Sequence, residues 1–322
     1  MRVSPVPVEV DAEDIENETD ENDESLGARL RGVFRAATSN GKVTFGLIIV
    51  GFFVLMALCS PLIVHSDANA FGPDISVGPS AAHPLGTTSY GQDVLDQVIV
   101  GSRVSVALGF ITGIVATIIS VIVGLVSGYI GGWTDESLSV LSNVFLVLPT
   151  LPLAIVLAAF LPYKGPLTIG FVLTVTGWSW GARVLRAQTL SMRNREFVTA
   201  AKATGEPAWR IIFFEILPNE IGVVVAQLLG TIIYVILAEA GLEYLGLGDL
   251  GNVSWGTMLY WAGNNDALAL GYWWWFVPPG LCIAVLGAGL AFVNFGIDEI
   301  ANPRLRTVKT KRLNKTKKVE AP

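Results

Sequence analysis

Six stretches of the chain are almost wholly apolar, approximately residues 43–64, 104–130, 138–161, 167–184, 221–240 and 274–295, and the polar and charged residues gather between them. A helix needs about 20 mostly apolar residues to cross ~30 Å of hydrocarbon, and in that medium a helix satisfies its backbone hydrogen bonds without water. One such block could be a buried core helix. Six of this length, nearly free of charge, predict an all-α polytopic membrane protein with six transmembrane helices.

Composition agrees with the pattern. Of the 322 residues 52% are apolar and 15% charged, with a mean hydropathy of +0.57, whereas a soluble domain carries roughly a quarter charged residues. Only Cys59 and Cys282 are available, each inside an apolar block. Neither a disulfide framework nor a four-ligand zinc site is therefore expected within one chain.

The net charge of −6 hides a polarised arrangement, with ten acids between Glu9 and Glu24 and eight bases between Arg304 and Lys318. The first 25 residues lack the basic-then-apolar order of a secretory signal, and their composition predicts a disordered tail. Lys and Arg then set the orientation, because positive loops stay cytoplasmic. With the N-terminus inside, nineteen of these residues lie on inner segments and only Arg103 and Lys164 on outer ones. Both termini are therefore expected in the cytoplasm. The implied organisation is an acidic tail over 1–40, a first span and outer loop over 41–82, a transmembrane domain over 83–306 and a basic tail over 307–322.

Within the spans, Gly124, Gly128, Gly131 and Gly132, and likewise Gly280, Gly287 and Gly289, suggest faces where helices approach closely, although tolerance of glycine in membrane helices would also explain them. Glu239 is the one carboxylate inside the spans as drawn, near an outer end. Such sparse charge weighs against a proton-coupled carrier, which needs acids or histidines at mid-membrane.

The inner segment 183–219 is too polar to span and too long for a turn. Residues 196–204 read as a short helix ended by Gly205, which can take the left-handed conformation. Pro207 suits the start of a second helix over 208–216, and Leu217, Pro218 and Asn219 are expected to break that helix before the fifth span. Small Ala200, Ala201 and Thr204 would let another surface approach, with Phe197 and Val198 as anchors. The other reading is an amphipathic hairpin on the bilayer surface, anchored by Trp209, Ile211, Ile212 and Phe213.

The run Glu196-Phe197-Val198-Thr199-Ala200-Ala201-Lys202-Ala203-Thr204-Gly205, followed by Glu215-Ile216-Leu217-Pro218-Asn219, resembles the EAA coupling motif of binding-protein-dependent ABC importer permeases. Thr199 stands where the family has the acid that names the motif, and Glu215 where it has a histidine. Other passages resemble the C-type permease of dipeptide, oligopeptide and nickel importers. They are His83-Pro84-Leu85-Gly86-Thr87-Thr88 with Gly91-Gln92-Asp93-Val94-Leu95 and Gly101-Ser102-Arg103-Val104-Ser105, then Gly128 to Asp135, then Ala238 to Gly248 with Ser254-Trp255-Gly256, and finally Asp298 with Asn302 to Arg306.

The resemblance implies a type I ABC importer (MetI-like) permease fold in a prokaryotic inner membrane. It implies that coupling helices near 186–217 dock into an ATPase subunit through Glu196, Phe197, Thr199, Ala200, Ala201, Gly205, Leu217 and Pro218. It also implies a second, B-type permease, two ATP-binding subunits that use ATP and Mg, and an extracytoplasmic solute-binding protein. Di- or oligopeptide is the cargo it favours, with nickel next. No cofactor or metal is expected on this chain itself, and a gradient-driven carrier or channel is the competing function.

The remaining singular residues have plainer readings. His65 and His83 could form a metal pair, but no cysteine or carboxylate cluster joins them. Asp93 and Asp96 suit the capping of a helix start. Trp273, Trp274 and Trp275 suit an aromatic belt more than a stacking site. The basic tail suits anionic lipid rather than nucleic acid. No P-loop, Gly-x-Ser-x-Gly elbow or His-Glu-x-x-His pair is present, so the energy for transport has to come from elsewhere.

Overall fold

The computed structural model describes residues 41–301, with side chains to 297. Both charged tails and the Asn302 to Arg306 motif lie outside the described residues. Among the described residues the regular structure is helical, with an irregular loop over 64–93 that holds an isolated antiparallel bridge between Thr87 and Asp93. In order, the helices are α1 (Gly41–Ile63), α2 (Val94–Ile130), α3 (Gly132–Val147), α4 (Thr150–Phe160), α5 (Pro166–Met192) and α6 (Glu196–Ala203). A three-residue turn α7 (Ala208–Arg210) and a π-helical segment (Ile211–Ile216) lead into α8 (Leu217–Tyr244), followed by α9 (Trp255–Asn264) and α10 (Trp273–Ala301).

By length and composition, α1, α2, α10 and the continuous stretch Ala208–Tyr244 can each cross a membrane, and α3 with α4, bent by 89° at their break, is apolar enough to be a broken span or a re-entrant loop. Helix α5 is long enough at 27 residues, but its inner half carries Arg183, Arg186 and Gln188. It is held by packing along α2, the most extensive helix pair in the fold. This arrangement is compatible with six spans.

Three expected boundaries change, each for a local reason. Helix α2 begins ten residues before the second apolar block, because Asp93 caps it by accepting from the amides of Leu95 (2.8 Å) and Asp96 (3.3 Å). The third block is not straight. Leu148 precedes Pro149 and is pushed to an extended ψ of 130°, so α3 stops and α4 restarts in a new direction.

Leu217, Pro218 and Asn219 do not break the helix entering the fifth span. Pro218 sits in the first turn of α8, where its missing N–H costs little. The wide π turn before it sends the Leu217 N–H back to the Ile212 carbonyl. Asn219 Nδ2 takes up the Glu215 carbonyl at 2.6 Å.

Close approach is real at some glycines and absent at others. A Cβ on Gly124 would lie 2.7 Å from the Ala182 carbonyl, and one on Gly128 would lie 2.7 Å from Thr189 Cβ, so both seat α2 against α5. Gly46 and Gly289 bring α1 and α10 together in the same way. Gly280 and Gly287, expected on a packing face, have open space around them in this chain. Gly131 and Gly132, at φ of 72° and 58°, instead make the inner turn from α2 to α3.

The aromatic run is only partly a belt. Trp273 is exposed, but Trp275 is buried against the outer core with Trp255 and Phe53. Trp274 Nε1 donates to the Thr87 carbonyl at 3.1 Å. Together with Trp255 Nε1, which donates to the Val98 carbonyl at 3.0 Å, these rings fasten the outer loop and α9 to the bundle.

The outer loop is organised by His83, whose Nδ1 meets Asp93 Oδ2 at 2.8 Å and whose Nε2 lies 3.4 Å from Asp74. His65 does not join it, and no cluster of three metal-ligating side chains occurs among the described residues. The Asp93 carboxylate beside it, aided by Asp74, holds the His83 pKa above its ordinary value against a lowering by burial. A raised folded-state pKa stabilises the loop fully below the unfolded value, near 6.5, and that contribution is lost as pH rises through the folded value.

Two outcomes follow from this packing. Gly128→Val should cost about 1–3 kcal/mol from overpacking against Thr189, while Gly51→Ala, in open space, should be neutral or better; thermal unfolding of the two variants in one detergent compares them. Intrinsic-rate-corrected hydrogen-exchange protection over residues 86–93 should fall as pH rises through the raised folded pKa of His83, and His83→Asn should flatten that dependence.

Candidate functional site

The inner ends of α2, α5 and α8 converge on one small structure. Helix α6 carries Val198, fully buried between Ile211 and Ile216 of the π segment, with Met192, Ala201 and Tyr129 around it. This plug fixes the helix to the bundle. The helix then ends in a Schellman motif: the Gly205 N–H donates to the Lys202 carbonyl and the Glu206 N–H to the Ala201 carbonyl, both at 3.1 Å. Gly205 stands at φ 82°, a left-handed conformation that glycine adopts without the Cβ penalty other residues meet.

Polar contacts tie this element to the spans. Lys202 Nζ lies 5.0 Å from the Tyr129 ring centre and donates to the Arg193 carbonyl at 3.3 Å. Arg186 of α5 grips Asp135 of α3 with two bonds, Nε to Oδ1 at 2.5 Å and an Nη to Oδ2 at 2.8 Å. Thr189 of α5 donates to Glu220 of α8 at 3.1 Å, both side chains buried. Arg210 pairs with Glu206 at 2.9 Å across the second turn. Lys202 and Val198 thus fix α6 to the ends of α2 and α5 and to the π segment, while Arg186 and Thr189 join α5 to α3 and α8.

The structure sorts the expected residues by face. Glu196, Phe197, Thr199, Ala200, Gly205 and Pro218 are exposed, while Ala201 and Leu217 are half-buried. Phe197 therefore points outward and Val198 inward, so the two do not share an anchoring role. Thr199 Oγ1 is spent on the Arg195 carbonyl at 3.1 Å. The bilayer-surface hairpin loses its anchors, because Ile211 and Ile212 are buried and Phe213 half-buried; of that set only Trp209 stays exposed, stacked edge-on with Phe214.

A second feature lies above this element. Between the α3–α4 bend, α5 and α8 is a cavity of about 830 Å³, lined on its polar side by Thr176, Ser179, Arg183, Gln227, Thr231 and Tyr234. Sequence reasoning named none of these residues, although Gln227 inside an apolar block was a usable signal. The Arg186–Asp135 and Thr189–Glu220 pairs were also missed, since their partners lie 51 and 31 residues apart.

The outer end is closed by buried polar bonds. Ser105 Oγ donates to Glu239 at 3.1 Å and accepts the Trp255 N–H at 3.3 Å, and Ser254 donates to Glu243. Gly256 is required there, because a Cβ would lie 2.7 Å from Glu243 Oε2.

A family model described as the binding-protein-dependent transport system inner membrane component matches residues 120–307. The chain is 36% identical to the oligopeptide transport system permease protein OppC of Bacillus subtilis over 83% of this chain and 87% of that one. It is 34% identical to the dipeptide permease DppC of the same organism, covering 85% of each. It is 32% identical to the probable D,D-dipeptide permease DdpC of Escherichia coli, over 86% of this chain and 92% of that one. Among solved structures it is similar to a chain of the MetNI methionine ABC transporter, with a TM-score of 0.51 at 19% identity, over 63% of this chain and 94% of that one.

The inward and outward faces of α6 are separable by experiment. Val198→Ala should lose about 2 kcal/mol of local stability and lower hydrogen-exchange protection across α6. Phe197→Ala should leave that protection unchanged.

Proposed function

Because the chain belongs to the family of binding-protein-dependent transport system inner membrane components, we propose that it forms half of the path of an ATP-driven importer of di- or oligopeptides. On this reading α6 and the turn after it sit in a cleft of an ATP-binding subunit. The observation that carries the reading is the two-faced α6, sunk into the span ends through Val198 and presenting Glu196, Phe197, Thr199 and Ala200 outward. A helix built only to cap the bundle has no reason to keep a phenylalanine and small residues on its free side.

The polar cavity serves as the cargo-facing half of the path. Its hydroxyls, the Gln227 amide and Arg183 offer donors and acceptors to peptide groups at membrane depth, where such side chains are otherwise costly. The partners on this reading are a second permease, two ATPases that supply ATP and Mg chemistry, and an extracytoplasmic binding protein that presents cargo from outside. The relatives named for oligopeptide and dipeptide transport support the cargo class. Both termini lie in the cytoplasm, and the switch between inward and outward access is a rocking of span ends driven through α6.

Ala200→Arg is the direct test, since residue 200 is exposed and the added bulk leaves the Val198 plug in place. The assembled complex should insert and hydrolyse ATP yet lose peptide uptake into proteoliposomes. Uptake at the unaltered rate would overturn the docking assignment. Uptake by this chain reconstituted alone under an ion gradient would replace the importer with a carrier.

A further inference from the structure

On the outer half of the chain, a second cavity of about 730 Å³ opens between α1, α2 and α5, away from the polar cavity. Its walls are a helical stripe on α2 (Val104, Ala107, Ile111, Val115) facing Leu167 and Phe171 of α5. These walls are apolar and exposed: Leu167 is 91% exposed, Ile111 63% and Phe171 60%. Arg103 stands at the mouth, heading the same stripe.

On the orientation taken in the proposed function, on which this inference rests, only two cations, Arg103 and Lys164, lie on the outer side. Lys164 is engaged, its Nζ donating to the Ala158 carbonyl at 2.5 Å at the end of α4. Arg103 is exposed and meets no hydrogen-bond or ion-pair partner among the described residues. Asp96 accepts from Ser66, and Asp249 from Asn252 and the Gly251 N–H; neither pairs with Arg103. An arginine left unpaired where a helix enters hydrocarbon calls for an anion held at headgroup level, and its planar fork suits a phosphate.

The depth points the same way. From Arg103 to Val115 the stripe runs about 18 Å along the helix, against about 15 Å for half the hydrocarbon thickness. The site therefore fits a molecule with a charged head and an apolar tail one leaflet long. A partner helix would answer Arg103 only if it carried an acid at this level, and a peptide would waste the apolar walls.

We propose that this groove seats an anionic phospholipid of the outer leaflet, with its phosphate on the Arg103 guanidinium and an acyl chain between α2 and α5. The lipid would act as a wedge that covers the bare flank of α5, whose other face lines the polar cavity.

The test uses the full importer complex in phosphatidylcholine nanodiscs doped with phosphatidylglycerol that carries a photoreactive acyl chain. Peptide mapping should place the crosslinks at Ile111, Val115, Phe171 and Thr174. Arg103→Gln should lower them about tenfold, as the loss of one charge-assisted hydrogen bond implies, Arg103→Lys should retain most of them, and Ala107→Trp should abolish them. Excess unlabelled phosphatidylglycerol should compete, whereas millimolar inorganic phosphate should not. Equal labelling by a phosphatidylcholine probe, insensitivity to Arg103→Gln, or crosslinks from the groove to another permease helix would each overturn the assignment. Since the readout is labelling rather than uptake, its failure leaves the importer reading intact.

Discussion

The seam between α2 and α5 is the contact on which the rest of this structure depends. In lipid, burying apolar side chains gives little drive for helix association, so close approach and occasional polar bonds must supply it. Gly124 and Gly128 on α2 and Gly181 on α5 remove the side chains that would hold the helices apart. Ser120 then donates across the seam to the Trp178 carbonyl at 2.6 Å. That register sets where Tyr129, Arg186 and Thr189 emerge on the inner side. Those three residues hold Lys202, Asp135 and Glu220, and through them the short α6 and the starts of α3 and α8.

The places where the helices are irregular fall beside the working parts. Backbone at membrane depth can leave the helical ladder only where protein or a polar cavity receives its free groups. The break at Pro149 meets this condition, with Thr150 just beyond it lining the polar cavity. The π segment at 211–216 keeps every turn bonded while widening the helix, and its buried Ile211 and Ile216 form the socket for Val198. A long helix from 208 to 244 thus links the inner element to the outer network of Glu239, Glu243 and Ser254 without a loose joint.

Much of this was legible in the sequence. The apolar blocks predict the helix ends to within about ten residues except in the fifth, where the continuous helical stretch starts at Ala208 rather than near 221, and Gly205 predicts its own left-handed turn. The motif order from His83 onward pointed to the family that the comparisons then supplied. What failed did so where a residue's effect depends on its partner. Pro218 looked like a breaker because nothing local shows that a π turn and the Asn219 amide would absorb it. Trp274 and Trp275 looked like a belt because hydropathy cannot distinguish a ring facing lipid from one facing Thr87 or the outer core.

The sequence by itself determined the solvent of this protein and the local grammar of the element around Gly205, and it carries the charge bias from which an orientation is read. Those properties are sums over neighbouring residues: apolar length against hydrocarbon thickness, positive charge against the membrane, glycine against a left-handed turn. Tertiary structure alone decided which face of α6 turns inward and which glycines carry contacts. It also decided that hydroxyls and amides from α5 and α8 share one cavity, while the unpaired Arg103 heads another. Each of these requires two segments to meet, and the distance between side chains far apart in the chain is fixed only when the helices pack.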